Sequence, residues 1–236
     1  MKQLERALTQ LGISSDSSRI EKFRIYMEGI LSWNKMVNLT SITDPEEFIE
    51  KYYMDSLLCV SYDEFQNSNS IIDVGTGGGF PGVPLAIAAP EKEFLLIDSL
   101  NKRIKIINEL CEKAEIKNVT AIHGRAEELA KNKKYRQKFD LCVSRAVANL
   151  SVLSEYCLPF IKKGGWFLAY KGPDIREELK ESRKAIQILG GEVKKEEQPI
   201  LDGFRLDHKI IFIKKTGSTP SKYPRKAGTP SKEPLK

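Results

Sequence analysis

The apolar positions of this 236-residue chain change their period near residue 70. Before it they recur at helical spacing: Leu4, Leu8 and Leu11 first, then Ile20, Phe23, Met27, Ile30 and Leu31, each set falling on one helix face. Asp44-Pro45-Glu46-Glu47 starts a further helix, with Asp44 as N-cap, Pro45 in the first turn and Glu47 three residues after the cap. Beyond Ser70 short apolar or β-prone runs take over. Ile71–Val74, Phe94–Ile97, Val119–Ile122, Phe139–Val143 and Trp166–Tyr170 read as strands, and helical patterns such as Ile104, Ile107, Cys111 and Ala114 lie between them. That alternation predicts a parallel sheet covered by helices on both faces. After a helical stretch, Ile175–Leu189, Gly190-Gly191 introduces two more runs, Val193–Ile200 and Lys209–Ile213. A short polar link joins them, so they read as an antiparallel pair at the sheet's end. The expected fold is α/β: a doubly wound, mostly parallel, seven-stranded sheet preceded by a helical region.

The polar stretch Gln66-Asn67-Ser68-Asn69 divides a helical region, 1–67, from an α/β domain, 68–215. The remainder, 216–236, is rich in Pro, Lys, Ser and Thr and is expected to be a flexible tail, because alone it buries too little apolar surface to order itself. No apolar run approaches the roughly 18 residues of a membrane span. The spaced leucines at the N-terminus are unlike the continuous core of a signal peptide. Cys59, Cys111, Cys142 and Cys157 show no C-x-x-C pairing and sit among apolar neighbours, which points to reduced, buried thiols and no metal site. A cytoplasmic monomer is the expectation. The net charge of +6 is concentrated: Lys214–Lys236 holds seven Lys or Arg against one Glu, leaving the rest formally neutral. A neutral body with a basic tail fits a polyanionic partner.

The chemistry centres on Ile71-Ile72-Asp73-Val74-Gly75-Thr76-Gly77-Gly78-Gly79-Phe80, a strand turning sharply before Pro81 opens an apolar segment. Glycines sit where a ligand's bulk must lie against bare backbone. Their spacing is G-x-G-x-G, and Phe80 stands where a dinucleotide-binding loop wants its last glycine. A nucleoside without phosphates fits better than NAD, and S-adenosylmethionine is the candidate. Asp73, Gly75, Gly77, Gly79 and Phe80 are the candidate contacts. In an open α/β sheet the ligand lies at the carboxyl ends of the strands. Asp98, ending the second strand, is placed to accept hydrogen bonds from both ribose hydroxyls. Ala126-Glu127, after the third, would flank the adenine. Arg145, leaving the fourth between apolar neighbours, points into the cleft where donor and acceptor meet.

Several absences narrow the reaction. No N-P-P-Y or D-P-P-Y follows the fourth strand to orient an exocyclic amine, and no Pro-Cys follows it to attack a pyrimidine ring. His123 and His208 read as structural. A site poor in general bases suits an acceptor with a free lone pair, such as a purine N7, because no proton need leave before attack. In the tail, Lys222, Tyr223, Arg225 and Lys226 combine charge with a stackable ring, a mixture suited to RNA.

Taken in order, these motifs resemble the glucose-inhibited division protein B family of bacterial small-subunit ribosomal RNA methyltransferases. The resemblance runs through Trp33-Asn34, Asn38-Leu39-Thr40, Asp55-Ser56-Leu57, Asp73-Val74-Gly75, Gly79-Phe80-Pro81-Gly82 and Asp98-Ser99-Leu100-Asn101-Lys102-Arg103. It continues through Arg125-Ala126-Glu127, Arg145-Ala146-Val147-Ala148, Lys171-Gly172 and Tyr223-Pro224-Arg225-Lys226-Ala227-Gly228-Thr229-Pro230. It implies S-adenosylmethionine as methyl donor and N7 of one guanine in the decoding region of 16S rRNA as acceptor. It also implies donor contacts at Gly75, Phe80, Ala126-Glu127 and Arg145. Arg145 and Lys171 would guide the phosphate or guanine at the cleft while the tail grips the RNA of the small ribosomal subunit. Thr76 and Gly78 stand where the family often has serine and alanine, and Tyr52 where a histidine commonly precedes Asp55-Ser56-Leu57. A nucleotide-dependent oxidoreductase on the same sheet is disfavoured by Phe80. A non-catalytic ribosome-assembly binder, or a methyltransferase of another RNA, a protein or a small molecule, is the remaining alternative.

Overall fold

Five of the apolar runs pair in parallel: β1 (Ser70–Val74), β2 (Glu93–Asp98), β3 (Val119–His123), β4 (Phe139–Arg145) and β5 (Ile161–Lys171). The computed structural model describes every residue of the chain except Asn38, Ala146, Val147, Arg205 and Asp207. Two antiparallel strands, β6 (Gly191–Glu197) and β7 (Lys209–Lys215), complete a seven-stranded sheet in the order β3-β2-β1-β4-β5-β7-β6. The order reverses between β1 and β4, so the crevice of a doubly wound sheet opens at their carboxyl ends.

Side chains alternate across the strands and supply two cores. Ile71, Leu168 and Phe212 face one layer, and their neighbours Ile72, Phe167 and Ile211 face the other. The first layer holds α1 (Lys2–Gln10), α2 (Ser17–Asn34), α6 (Gly82–Ala88) and α7 (Asn101–Lys113). The second holds α9 (Leu150–Cys157) and α10 (Arg176–Ile188). Phe23, Met27 and Ile30 of the predicted stripe are buried, joined by Tyr26. The N-terminal helices therefore share one core with the sheet.

Asp44 accepts hydrogen bonds from Glu46 N (3.0 Å) and Glu47 N (2.9 Å), capping α3 (Pro45–Phe48). This helix continues through a π-helical segment, Ile49–Met54, into α4 (Asp55–Leu57). The wider π turn carries Tyr52 and Tyr53 and matters at the site below. The short helices α5 (Asp63–Gln66), α8 (Ala126–Leu129) and α11 (Thr229–Lys232) complete the chain.

Two strands extend beyond the apolar runs. β5 begins at Ile161 through the polar Lys162-Lys163-Gly164-Gly165, with a register shift between Phe139 and Leu141 of its partner. A Cβ on Gly165 would fall 2.5 Å from the Asp140 carbonyl oxygen, so glycine there lets two backbones meet. β7 runs on to Lys215, whose amine is buried. β6 stops at Glu197, short of Ile200, which is 88% exposed.

The tail differs most from its expectation as a flexible segment. Tyr223 is buried in the second core, and Arg136 donates to the carbonyls of Thr219 (2.9 Å) and Tyr223 (2.9 Å). The segment is short of apolar surface of its own, but the domain supplies polar anchors that its composition does not reveal. Among the described residues, no helix is long and apolar enough to cross a membrane. All four cysteines are buried free thiols.

Candidate active site

At the end of β1 the chain needs three left-handed residues in alternation, and it has glycines there: Gly75 (φ 74°), Gly77 (φ 60°) and Gly79 (φ 93°). The loop is tied to β2 beside it. Gly75 N donates to the Ile97 carbonyl at 2.9 Å, and Gly77 N donates to Asp98 Oδ2 at 2.9 Å. The other Asp98 oxygen accepts from Leu100 N (2.8 Å), and Arg103 lies 3.3 Å from Oδ2. Asp98 thus holds the loop as well as lining the crevice; Oδ2 already accepts from two donors, and Oδ1, with one, keeps a lone pair for a further donor.

The three glycines do different work. A Cβ on Gly77 would meet nothing within 4 Å, so this backbone faces open space. A Cβ on Gly79 would fall 2.2 Å from the Tyr26 hydroxyl, which donates to the Gly78 carbonyl at 2.9 Å. The close approach expected of a ligand at Gly79 is made instead by α2. Asp73 is likewise not a wall of the crevice. It is fully buried, and its Oδ2 accepts from Thr76 Oγ1 (2.7 Å) and Gly82 N (2.9 Å), locking both ends of the loop. Its Oδ1 has no hydrogen-bond partner among the described residues. Burial raises its carboxyl to about 7, against the lowering by those two hydrogen bonds.

Two cavities meet at Gly75, Asp98 and Ser99. The first is lined by Ile97, Ala126, Glu127 and Tyr156 as well. The second, of about 370 Å³, is lined by Leu39, Tyr52, Thr76, Gly77, Gly78, Phe80, Arg103 and Arg145. Glu127, nearly buried at the start of α8, accepts a hydrogen bond from the tail amide Gly228 N at 2.9 Å.

Arg145 is the hub of the second cavity. Its guanidinium lies 5.0 Å from the Tyr52 ring centroid and 5.6 Å from that of Phe80, and the two rings are 4.6 Å apart. Nη1 donates to the Lys51 carbonyl (3.0 Å) and to Asp55 Oδ2 (2.7 Å). Asp55 Oδ1 in turn meets His208 Nδ1 at 2.8 Å. Burial pushes the Asp55 carboxyl up, but the His208 hydrogen bond and the Arg145 charge outweigh it and hold the group below its ordinary value. Arg145 therefore lines this cavity, gripped by the helical region and set against the rings. Lys171 does not reach out as an open cation: Nζ donates to the Ala148 carbonyl (2.9 Å) and pairs with Glu178 (2.6 Å). Its position steadies the chain after β4. Ala146-Val147 and Asn38, from the motifs above, lie outside the described residues.

Of the four tail residues assigned to RNA, Lys222 and Lys226 are exposed. Tyr223 and Arg225 turn inward. Arg225 places Nε 3.0 and 3.1 Å from the two Glu155 carboxylate oxygens, Nη2 2.7 Å from Oε2 and its amide N 2.7 Å from Oε1. Glu155 is completely buried in α9, so its charge is accommodated through this pairing.

Glu155 and Tyr156 were missed from sequence, and Tyr52, Asp55 and His208 were noted there without a place at the cavity. A lone carboxylate in the apolar run Val152-Leu153-Ser154-Glu155 was a usable signal, because such a group must find a partner. Which partner was not readable, since Arg225 lies 70 residues away.

A family model described as GidB, rRNA small subunit methyltransferase G, matches residues 19–199. A ribosomal RNA small subunit methyltransferase G from Clostridium tetani is 46% identical over 233 residues, covering 99% of this chain and 98% of the relative. One from Alkaliphilus oremlandii is 47% identical with the same coverage. Among solved structures, an O-methyltransferase from Bacillus cereus in complex with SAH superposes with a TM-score of 0.57 at 17% identity, over 90% of this chain and 97% of that one. The Methanococcus jannaschii fibrillarin pre-rRNA processing protein gives 0.51 at 19%, over 64% and 67%. These last two likenesses concern the fold alone.

Proposed function

The chain belongs to the GidB family, rRNA small subunit methyltransferase G, and on that premise we propose that it methylates N7 of one guanine in small-subunit ribosomal RNA, with S-adenosylmethionine as donor. The observation that carries this reading is the pair of cavities joined at Gly75 and Asp98. One suits a nucleoside, with a buried carboxylate on either side; the other is where the reacting ends meet.

The residues present fit the donor. Asp98 Oδ1 keeps acceptor capacity for a ribose hydroxyl, Ala126 and Glu127 would flank the adenine, and the bare face of Gly77 leaves room for the amino-acid end. When bound, the donor supplies an electrophilic methyl group on a cationic sulfur. The protein's own task is positioning. Arg145, fixed by Asp55 and the Lys51 carbonyl, presents a rigid cation against the Tyr52 and Phe80 rings, placed to orient a guanine or its phosphate. A purine N7 attacks through a lone pair already free, so no side chain need remove a proton first. Lys222 and Lys226 are the tail residues placed to meet RNA phosphates. The protein would work as a monomer in the cytoplasm.

The test is label transfer. Protein would be mixed with methyl-labelled S-adenosylmethionine and unmodified small subunits, deproteinised 16S rRNA or a protein extract, followed by nucleoside digestion. Label in N7-methylguanosine from one RNA site supports the proposal. Label in another nucleoside rejects the acceptor, and no label with donor binding intact favours an assembly-binding role.

A further inference from the structure

The C-terminal segment touches the donor cavity at two points that the family reading does not use. Gly228 N donates to Glu127 Oε1 at 2.9 Å, and Glu127 lines the cavity. Arg225 neutralises buried Glu155, the residue immediately before Tyr156, which lines the same cavity from α9. Ser231 lies beside the Tyr156 hydroxyl, and α11 packs on α9. Arg136 and Lys215 anchor the start of the segment, through the carbonyls of Thr219 and Pro220 and through the Thr219 hydroxyl.

We propose that residues 219–231 are a positioning element for the methyl donor: Arg225 and the Gly228 amide fix Tyr156 and Glu127 at the adenine end. This rests on reading that cavity as the donor site. Glu127 can offer its second oxygen to a ligand in a fixed direction only while Gly228 occupies the first. The orientation of α9 around Tyr156 depends on a charge pair that the tail alone completes. The basic tail thus acts on donor affinity through its inward residues.

The experiment is calorimetric titration of the full-length protein with S-adenosylmethionine, together with steady-state kinetics on small subunits. Arg225→Ala should weaken donor binding by about tenfold or more, the scale of one lost charge-assisted hydrogen bond. Stoichiometry should stay near one, kcat at saturating donor should hold within about twofold, and KM for the RNA substrate should not change. Arg225→Lys should recover part of the affinity. Because Arg225→Ala leaves Glu155 unpaired and could unfold, a second variant ending at Ala227 keeps the Arg225 pair and removes only Gly228 onward. It too should bind the donor more weakly. A lower stoichiometry with unchanged affinity in both variants would mean a purely structural role and overturn the proposal, as would an effect confined to KM for RNA. Failure of the unaltered protein to bind the donor would overturn the donor-site reading itself, and this inference with it.

Discussion

The two cavities share a floor, made by the β1 loop and Asp98, but their walls are built on different principles. The wall around Arg145 is a stack: Phe80 and Tyr52 beneath a guanidinium, with Asp55 and His208 behind it. The wall around Glu127 is a strut: one backbone amide and one buried ion pair brought by a segment about 70 to 100 residues away in the chain. The helices before the sheet bring Tyr52 and Asp55 to the first, and the tail after it brings Arg225 and the Gly228 amide to the second. The α/β core therefore provides the loop that any nucleoside could use, while appended segments decide what is held around it. Both walls are closed by a buried charge pair, Arg145–Asp55 in one and Arg225–Glu155 in the other, and they differ in what flanks it: aromatic rings in the first, a tail amide in the second.

The most damaging way to break the stack is Arg145→Ala. It leaves the Asp55 carboxylate, 3% exposed, with His208 as its remaining charge partner among the described residues. Removing one member of a buried pair costs about 3–5 kcal/mol. Unfolding in urea should show a loss of that order, and methyl transfer should fall at least ~100-fold because the acceptor loses its orienting cation. Arg145→Lys retains the charge but not the stacking plane, so it should recover stability more than activity. Equal recovery of both would mean that the stack does not position the acceptor.

The next contrast lies within the loop. Gly77→Val puts bulk into open space in the cavity proposed for the donor, whereas Gly79→Ala drives a Cβ against the Tyr26 hydroxyl. Both carry the left-handed backbone penalty of roughly 1–2 kcal/mol, the β-branched valine more of it than alanine. Beyond it, Gly77→Val should lower donor affinity tenfold or more with little further change in Tm. Gly79→Ala should lower Tm by several degrees through the displaced helix. A reversed pattern would place the ligand against Gly79.

Most of the sheet was legible in sequence because buried parallel strands are apolar on both faces, and β1, β2 and β4 are of that kind. The start of β5 was not, because backbone pairing through Lys162-Lys163-Gly164-Gly165 needs no apolar side chain. The glycine loop could be read as a nucleoside site, but not which glycine faces the ligand, since Gly77 and Gly79 have the same local chemistry and differ only in what α2 brings close. Asp98 and Arg145 could be placed at the crevice from sequence because strand ends converge on it. Asp55 and His208 were not, because 153 residues separate them and neither pattern nor period connects such a pair. The tail misled for the same reason: its composition describes it alone, and Glu155 and Arg136 order it from outside.

The strut can be probed through Lys215, at the root of the tail. Its amine is buried, donates to the Leu189 carbonyl at 2.6 Å, and is lowered by burial to about 7 from its ordinary 10.5. Between those values the unfolded chain binds one more proton than the folded one. Stability should therefore rise with pH across that window, by about 1.4 kcal/mol per unit from this group. Lys215→Met removes the group, so the pH slope of its unfolding free energy between pH 7 and 9.5 should be shallower than that of the unaltered protein by close to one proton. Identical slopes would show that the amine stays charged in the folded state.

The smallest effect belongs to the outward face of the same segment. Lys222 and Lys226 are exposed while their neighbours Tyr223 and Arg225 are engaged inward, so the tail presents two faces. Replacing both lysines by alanine should leave donor affinity and Tm unchanged. RNA affinity should fall by a few-fold at low salt, and the slope of log affinity against log salt should flatten by at most about two, one for each lost phosphate contact. If the slope is unaltered, the RNA meets the protein elsewhere, and the tail's work is confined to the donor cavity. If donor affinity falls as well, the two faces are coupled: RNA contacts on Lys222 and Lys226 would then bear on Arg225 and Gly228 between and beside them, and the strut would respond to substrate.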